Sequence, residues 1–356
     1  CPLSHTDADN DMTSGDVHYA MVGSCLTEPA ETYRNRIAEN TVNFITEFAT
    51  MGPNSIETNR KIYSEEEIWP QGELWAERLM DNPYDCLPWN FLEMQHIYID
   101  KFYGKSKHLS DFTFKGMLMQ AEMLKAELEY ARFRKGRTMG CANWMYNDIW
   151  PSGTWSVIDY YNEPKQVYYQ QRKTYAPVLI SFSQNEHEET CLFVANDTPH
   201  ELTLQIRYGL KTIEGEVCWE KEQKLSVDKN GYYSEVVAVG RTQTNEYFYV
   251  EAFDNSGKRY KNLYSQCLWK DCKYESDYTI TKSQVSEYAI EVEIQANKFA
   301  KSVFLAFPDN YKYQYSDNYI DVEKGTSEKI YIYAEEPIKA DTLTVCDMSS
   351  QSPKAV

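Results

Sequence analysis

The sequence lacks both an excess of positive charge and long apolar runs. Its 356 residues include 36 Lys and Arg against 54 Asp and Glu, which gives a net charge of −18. Nucleic acids and anionic membranes are bound through basic patches, so this balance argues against both as partners. No run of about 18 apolar residues is present, and we therefore expect no segment that spans a membrane.

Glycine and grouped cysteines are also scarce. With 15 glycines, the chain has no glycine-rich loop of the kind that cradles a phosphate. The nine cysteines are scattered, and the closest two, Cys267 and Cys272, lack the second pair or neighbouring His that a zinc site needs. We expect neither a metal nor an organic cofactor. Residues 1–11 have no basic or apolar segment typical of a signal peptide, and together with the unpaired thiols this favours a cytoplasmic protein.

The sequence changes character near residue 178. Before that point helical and strand patterns alternate. The clearest helix is predicted for residues 110–134, where apolar residues recur every three or four positions. Ser110 and Asp111 are its expected caps, and Gly136 marks its end. A shorter helix is predicted for residues 91–102, closed at Gly104.

Two short apolar segments are predicted to be buried strands that end in polar loops. The first covers residues 42–46 and ends at Glu47, and the second covers residues 138–146 and leads into the loop 147–151. A strand ending in a loop, then helices, then another such strand is typical of a β/α barrel, in which the chemistry lies where strands end. Glu47 and Trp144 are therefore predicted to lie on an active-site face.

After residue 178 nearly every segment has the length and alternation of a short strand, with turn signals between the segments. Residues 1–178 are predicted to form an α/β portion, residues 179–266 one β-sandwich and residues 267–356 a second. The strands predicted for the two sandwiches are 178–182, 191–195, 202–208, 216–220, 232–239 and 247–253, followed by 278–282, 288–296, 301–306, 327–334 and 342–345.

Four stretches of the sequence carry motifs of a known family. They are Gly-Asp-Val-His-Tyr at 15–19; Phe-Ile-Thr-Glu-Phe at 44–48, followed by Pro53, Ser55, Glu57 and Thr58; Met-Gly-Cys-Ala-Asn-Trp-Met-Tyr-Asn-Asp-Ile-Trp-Pro-Ser-Gly-Thr-Trp-Ser-Val-Ile-Asp-Tyr at 139–160; and Tyr-Ser-Asp-Asn-Tyr-Ile-Asp at 315–321. In this order they resemble the β-mannosidases of glycoside hydrolase family 2, in the clan that includes β-galactosidases and β-glucuronidases. The third stretch is the most specific.

The resemblance implies a multidomain α/β plus all-β chain. It would hold the last strands of a (β/α)8 TIM barrel, followed by two immunoglobulin-like β-sandwiches. The family's chemistry is a retaining hydrolysis through two carboxyl groups about 5 Å apart, with Glu47 as the nucleophile that forms a covalent glycosyl-enzyme. Two departures, Ala49 in place of Gly and Ala20 in place of Trp or Tyr, bear on the choice of sugar more than on the chemistry.

Two tryptophans of the third stretch are candidates for contacts with the sugar. Trp144 would form a flat wall for the sugar ring, and the alternative is an aromatic side chain of the barrel core. Trp155 is the second candidate, although packing within the loop is the interpretation we favour for it, as for Trp150.

Four polar or mixed residues complete the candidate site. Asn147 and Asp148 would bond to sugar hydroxyls or cap the next turn, and the sequence leaves both interpretations open. His18 and Tyr19 would line the pocket, and the alternative for His18 is a structural histidine.

The second carboxyl group is missing from the place that the resemblance requires. The clan has its general acid/base as a Glu after an Asn on an earlier barrel strand, and residues 1–46 contain no Asn-Glu pair. The pairs at 162–163, 185–186 and 245–246 follow the last barrel strand, so none is expected to be the acid. A barrel of this kind takes about 250 residues. We therefore expect the rest of it in a missing N-terminal part or another subunit, and no activity from this chain alone.

Three functions remain open on the sequence. The leading one is an exo-acting β-mannosidase that removes terminal β-linked mannose. A sister activity, such as exo-β-glucosaminidase, would share its fold and nucleophile. From another class, the chain would be a non-catalytic carbohydrate-binding or structural piece, in which the two sandwiches matter more than Glu47. The partner expected from the resemblance is a carbohydrate.

Overall fold

The structure is a computed structural model that describes residues 26–39, 42–79 and 88–356, together with the backbone of residues 17–18. For residues 351–353 it describes the backbone alone. Within this described part, every α-helix lies before residue 178, and nearly all of the remaining chain forms antiparallel strands.

Three short strands lie side by side in the first portion: β1 (Val17–His18), β2 (Ile45–Phe48) and β3 (Cys141–Asn143). β2 is the middle strand and is parallel to both of its neighbours. The α-helices are, in chain order, α1 (Tyr33–Ala38), α2 (Ile56–Ile62), α3 (Glu65–Ile68), α4 (Glu73–Arg78), α5 (Phe91–Tyr103), α6 (Leu109–Phe133) and α7 (Gln166–Thr174). Parallel strands need a long crossover, and α2 to α6 supply it between β2 and β3.

The longest helix, α6, begins earlier than predicted. Its N-cap is His108, which is extended (φ −154°) and whose ring Nδ1 accepts the backbone N–H of Asp111 over 3.1 Å. The prediction that Ser110 and Asp111 cap the helix is wrong, because both lie within its first turn and a capping side chain belongs to the extended residue before that turn. The apolar stripe is buried as predicted, with Met117 at 4% and Leu124 at 0% exposure.

The second predicted strand is shorter and more exposed than expected. Only three residues of 138–146 form β3, and its ladder runs from Ile45 opposite Cys141 to Phe48 opposite Asn143. Met139 is 72% exposed. The prediction of a buried strand is wrong because β3 is an edge strand in the described sheet, and an apolar run has the same pattern at an edge as in a core.

The first β-sandwich packs a three-stranded sheet against a four-stranded one. The strand orders are β4-β5-β8 and β10-β9-β6-β7, and all neighbours are antiparallel. Phe182 and Val194 from one sheet meet Leu204 and Phe248 from the other, all fully buried. The strands are β4 (Val178–Gln184), β5 (Glu189–Asn196), β6 (Leu202–Thr212), β7 (Val217–Val227), β8 (Tyr232–Val239), β9 (Glu246–Asp254) and β10 (Arg259–Tyr264). β10 was not predicted.

The second β-sandwich has two four-stranded sheets, ordered β11-β12-β16-β14 and β15-β13-β17-β18. Its strands are β11 (Tyr278–Ser286), β12 (Ala289–Ala296), β13 (Ala300–Ala306), β14 (Tyr313–Tyr315), β15 (Ile320–Val322), β16 (Ser327–Ala334), β17 (Thr344–Asp347) and β18 (Ser350–Ala355). The sequence did not predict β14 and β15, which have three residues each. It also missed β18, which contains Pro353; at the edge of its sheet this strand tolerates a proline.

The second sandwich packs directly against the helices. The Tyr319 ring lies 6.5 Å from the ring of Phe114 on α6 and 5.9 Å from that of Tyr169 on α7, and it stacks on Phe304 at 4.3 Å. The predicted fold class, an α/β portion followed by β-sandwiches, is confirmed. Among the helices that the structure describes, none is long and apolar enough to cross a membrane.

Candidate active site

Glu47 is the third residue of β2, the middle parallel strand. The register between β2 and β3 shifts between Ile45 and Phe48, which interrupts the strict alternation of the two strand faces. Ile45 and Phe48 are both buried in the cluster that includes Leu124 of α6, whereas Glu47 is partly exposed. The carboxylate therefore lies on a strand anchored by buried neighbours, at the carboxyl end where β/α barrels have their reacting groups.

Trp144 follows β3 directly and lies at the same end of the sheet. Its backbone N–H donates to the carbonyl of Phe48 over 2.9 Å, which brings it beside the residue that follows Glu47. The Trp144 side chain is 47% exposed, so among the described residues it is not part of a packed core. A half-exposed aromatic ring at the strand end that carries a carboxylate is suited to a sugar, which has both apolar faces and polar edges.

His18 is the residue of β1 opposite Glu47 in the strand register, so the two backbones are adjacent. The side chain of His18 and the whole of Tyr19 lie outside the described residues. Their contacts with a substrate therefore stay predictions.

Asn147 and Asp148 have different environments. Asn147 is exposed, and its amide donates to the backbone carbonyl of Asp148 over 3.3 Å. Asp148 is 4% exposed and accepts a hydrogen bond from the Ser156 hydroxyl over 2.7 Å. Burial raises the pKa of Asp148, and the Lys165 ammonium partly offsets this increase. The structural interpretation is therefore favoured for Asp148, while Asn147 stays available to a ligand.

The loop tryptophans have protein partners. The Trp155 ring packs edge-on against Phe91, with ring centres 5.0 Å apart. Trp150 donates its indole N–H to the carbonyl of Arg78 over 3.1 Å, and the Arg78 guanidinium lies 4.7 Å from the centre of the Trp150 ring. These contacts favour the loop-packing interpretation for both residues.

Buried amides join the loop after β2 (residues 49–55, the β2 loop) to the loop after β3 (residues 144–165, the β3 loop). The Gln120 side chain of α6 is fully buried and donates to the carbonyls of Thr50 and Trp155, over 3.0 and 3.2 Å. Asn54 and Gln95 donate in the same way to two further carbonyls of the β3 loop, each over 2.7 Å. Gln120 thus joins the β2 loop to the β3 loop from the side of α6. No sequence motif predicted this role.

A second buried network joins α2 to the β3 loop. The Thr58 hydroxyl donates to the Asp159 carboxylate and lies 3.4 Å from Glu163 Oε2. Asp159 also accepts the backbone N–H groups of Tyr161 and Glu163, both over 2.9 Å. Burial, and then the nearby Asp159, raise the pKa of Glu163 to about 7. Thr58 and Asp159, which the sequence had marked only as motif residues, therefore hold the loops in place.

Lys165 is a further residue that the sequence did not predict. It is 2% exposed, and its ammonium donates to the carbonyls of Gly52 and Thr154 over 2.7 and 3.3 Å. Burial lowers the pKa of this lysine to about 8. Lys165 therefore bridges the β2 and β3 loops, and a single lysine without a spacing pattern offers no signal for this in the sequence.

The chemistry available at the site is that of a carboxylate. Glu47 can act as a nucleophile or base at the end of β2, and the backbone of Trp144 binds the residue that follows it. In the part of the chain that the structure describes, no group of three or more His, Cys, Asp or Glu side chains is placed to hold a metal ion.

Comparison with known proteins shows what this fold resembles. A family model for a mannosidase-type Ig-fold domain matches residues 276–351, within the second sandwich. The crystal structure of β-D-mannosidase from Dictyoglomus thermophilum matches 95% of this chain and 41% of its own, with a TM-score of 0.81 and 22% identity. The chain is similar to a β-mannosidase over nearly its whole length. The resemblance inferred from the four motifs is confirmed.

Sequence relatives agree with the structural match. A probable β-mannosidase of Caenorhabditis elegans is 24% identical over 280 residues, which are 70% of this chain and 30% of the relative. The β-mannosidase of Capra hircus is 27% identical over 211 residues, 55% of this chain and 22% of the relative. An exo-β-D-glucosaminidase of Amycolatopsis orientalis is 29% identical over 176 residues, 47% and 17% respectively. The chain spans less than a third of the length of these relatives.

Proposed function

We propose that this chain is the C-terminal part of a retaining exo-glycoside hydrolase that removes terminal β-linked mannose. The observation that carries the proposal is the position of Glu47, at the carboxyl end of the middle parallel strand and one residue before the carbonyl that binds Trp144. The relatives named as β-mannosidases favour mannose as the sugar.

In this proposal Glu47 attacks the anomeric carbon and forms a covalent glycosyl-enzyme, while the Trp144 ring supports a face of the sugar. The chain then contributes half of the reacting groups. Retaining hydrolysis needs a second carboxyl group about 5 Å from the first, as the acid and later the base. Asp148, Asp159 and Glu163 are unsuited to this role because all three are at most 4% exposed.

The missing carboxyl group therefore comes, in this proposal, from barrel strands outside this chain, and the chain alone is inactive. The same strands would cover apolar side chains that are exposed around β3, such as Phe44 at 40% and Met139 at 72%. Exposed apolar groups of this size are commonly covered by a further part of the protein.

The nucleophile is tested by trapping it in the polypeptide that contains this chain and the rest of the barrel. A 2-deoxy-2-fluoro mannosyl fluoride slows hydrolysis of the glycosyl-enzyme, so that the labelled residue can be found by peptide sequencing in the mass spectrometer. We expect the label on Glu47 within the tryptic peptide of residues 37–60. The same peptide contains Glu39 and Glu57, and a label on either of these would overturn the assignment.

An exo-β-glucosaminidase is the second candidate, and the relative from Amycolatopsis orientalis favours it. An exo-chitosanase structure from that organism also shares the fold over 88% of this chain, with a TM-score of 0.70. The two activities are separated by kcat/KM on aryl β-mannoside and aryl β-glucosaminide. A preference for the glucosaminide would replace the sugar in the proposal and leave Glu47 as nucleophile.

A non-catalytic carbohydrate-binding or structural role is the remaining candidate. It predicts that mannosides bind and that Glu47→Gln changes neither their binding nor any turnover. This role would be ruled out if Glu47→Gln lost turnover and the variant carried no label at residue 47.

A further inference from the structure

Two thiols lie close together on the segment that joins the two β-sandwiches. Cys267 and Cys272 flank a single 3-10 turn, Trp269–Asp271, between β10 and β11. The backbone N–H of Cys272 donates to the Trp269 carbonyl over 3.3 Å, which closes the turn. The two side chains are near enough for each to shift the pKa of the other, and both are partly exposed to solvent.

The surrounding chain holds both sulfurs on one side of this turn. Cys267 Sγ lies 3.7 Å from the carbonyl oxygen of Gln243, and Cys272 Sγ lies 3.1 Å from that of Thr244. These carbonyls belong to consecutive residues of one loop, so the two thiols lie against neighbouring peptide groups.

The two thiols are also chemically unequal. The hydrogen bond from Cys272 lowers the pKa of Cys267, and the same bond, followed by burial, raises the pKa of Cys272. Thiolates are the reactive form of cysteine, so this direction favours Cys267 as the attacking group and Cys272 as the resolving thiol.

We propose that Cys267 and Cys272 form a peroxide-sensitive dithiol that closes reversibly to a disulfide. The Cys267 thiolate attacks one oxygen of hydrogen peroxide, the O–O bond breaks, and the departing hydroxide takes up a proton to become water. This leaves a sulfenic acid on Cys267. Cys272 loses its proton and attacks the sulfenic sulfur, so that the S–S bond forms, the S–O bond breaks and a second water leaves. In total the two thiols lose two electrons and one peroxide is reduced to two waters. A dithiol reductant reverses the step.

The disulfide would close a short ring around Trp269. The Trp269 ring stacks on Phe299, with ring centres 6.2 Å apart and planes 9° apart, and the Lys301 ammonium lies 5.1 Å from its centre. Phe299 directly precedes β13 of the second sandwich, and Lys301 is the second residue of that strand. Oxidation would therefore fix the connecting segment where it contacts that sandwich. This inference does not depend on the proposed hydrolase activity.

The proposal is tested by peptide mapping of the native chain after limited treatment with hydrogen peroxide. Lys270 lies between the two cysteines, so trypsin places them in separate peptides, residues 262–270 and 271–273. We expect these two peptides to be recovered as one disulfide-linked pair after free thiols are blocked. Reduction before blocking should return them as two alkylated peptides. Full alkylation of both cysteines after peroxide, with no linked pair, would overturn the proposal.

Single substitutions distinguish a local pair from general thiol oxidation. Cys272→Ser should abolish the linked pair and leave Cys267 to oxidise further to sulfinic acid. The control is Cys218→Ser, because Cys218 is exposed and its Sγ lies 3.7 Å from Glu246 Oε1, in the same region. Cys218→Ser should leave the pair intact. A link from Cys267 to Cys218 instead of Cys272 would contradict the proposal.

Discussion

The backbone N–H of Trp144 and the carbonyl of Phe48 are joined by a 2.9 Å hydrogen bond across the carboxyl ends of β3 and β2. Phe48 is buried against α6, and Glu47 is the residue before it. The bond therefore fixes the aromatic residue relative to the carboxylate through buried backbone.

Replacing Trp144 by Ala in the complete enzyme should remove the support of the sugar ring. We expect kcat/KM to fall about thirtyfold, which corresponds to about 2 kcal/mol of lost aromatic contact. Trp144→Phe should recover much of the loss because a flat ring remains. The control is Trp150→Ala, whose ring packs on Arg78. Equal effects of Trp144→Ala and Trp150→Ala on kcat/KM would argue against a sugar contact.

Replacing Gln120 by Met should destabilise the chain. The change leaves the buried carbonyls of Thr50 and Trp155 without the amide that donates to them, which costs about 1–3 kcal/mol. Gln120→Glu should be worse at neutral pH, because its buried negative charge would face the same two carbonyl oxygens. Chemical denaturation measures the free energy of unfolding. The exposed Gln205 is the control, and Gln205→Met should stay within about 0.5 kcal/mol of the parent.

Glu163 should make the stability depend on pH. The folded chain keeps this proton up to about pH 7, whereas an unperturbed glutamate releases it near pH 4.5. Between these values the folded state binds more protons than the unfolded state, so the free energy of unfolding falls as the pH rises. In Glu163→Gln, the fall in the free energy of unfolding between about pH 4.5 and pH 7 should be smaller by about 3 kcal/mol.

The measurement for Glu163 is denaturation at several pH values from 4.5 to 7.5. Above pH 7 the buried carboxyl of the parent loses its proton, whereas the amide of Glu163→Gln stays neutral. The variant should then be more stable than the parent. Glu186→Gln, at an exposed position in another Asn-Glu pair, should leave the profile unchanged. Parallel profiles for the parent and Glu163→Gln would show that burial does not hold this proton.

Replacing Gly116 by Ala should destabilise α6 although alanine is the better helix former. A Cβ at this position would overlap the ring of Pro53 in the β2 loop and lie 3.2 Å from Ile99 Cδ1. Overpacking of this kind costs about 1–3 kcal/mol, more than the gain in helix propensity of about 1 kcal/mol. A double-mutant cycle with Pro53→Ala tests the cause, because the cost of Gly116→Ala should shrink when the Pro53 ring is absent. An unchanged cost would point to another contact.

The local signals of the sequence predicted α5 and α6, whose hydrogen bonds lie within a few residues. Asn90 and Glu93 form a reciprocal capping box at the start of α5, with bonds of 2.8 and 2.9 Å, and Gly104 follows the helix with a positive φ of 78°. Near-neighbour bonds of this kind depend on residue type and spacing, which the sequence displays. Errors occurred at the N-cap of α6, which is His108, and at the strand β3, which is exposed at the edge of its sheet.

The sequence by itself determined the class of fold, the position of Glu47 at a strand end and the resemblance to the β-mannosidases. Only the tertiary structure decided which motif residues are buried and hold the loops together. Thr58 and Asp159 are 101 positions apart, and Gln120 reaches Thr50 across 70. Burial and hydrogen bonding between such distant residues depend on how the chain packs, and no local pattern of residues specifies them.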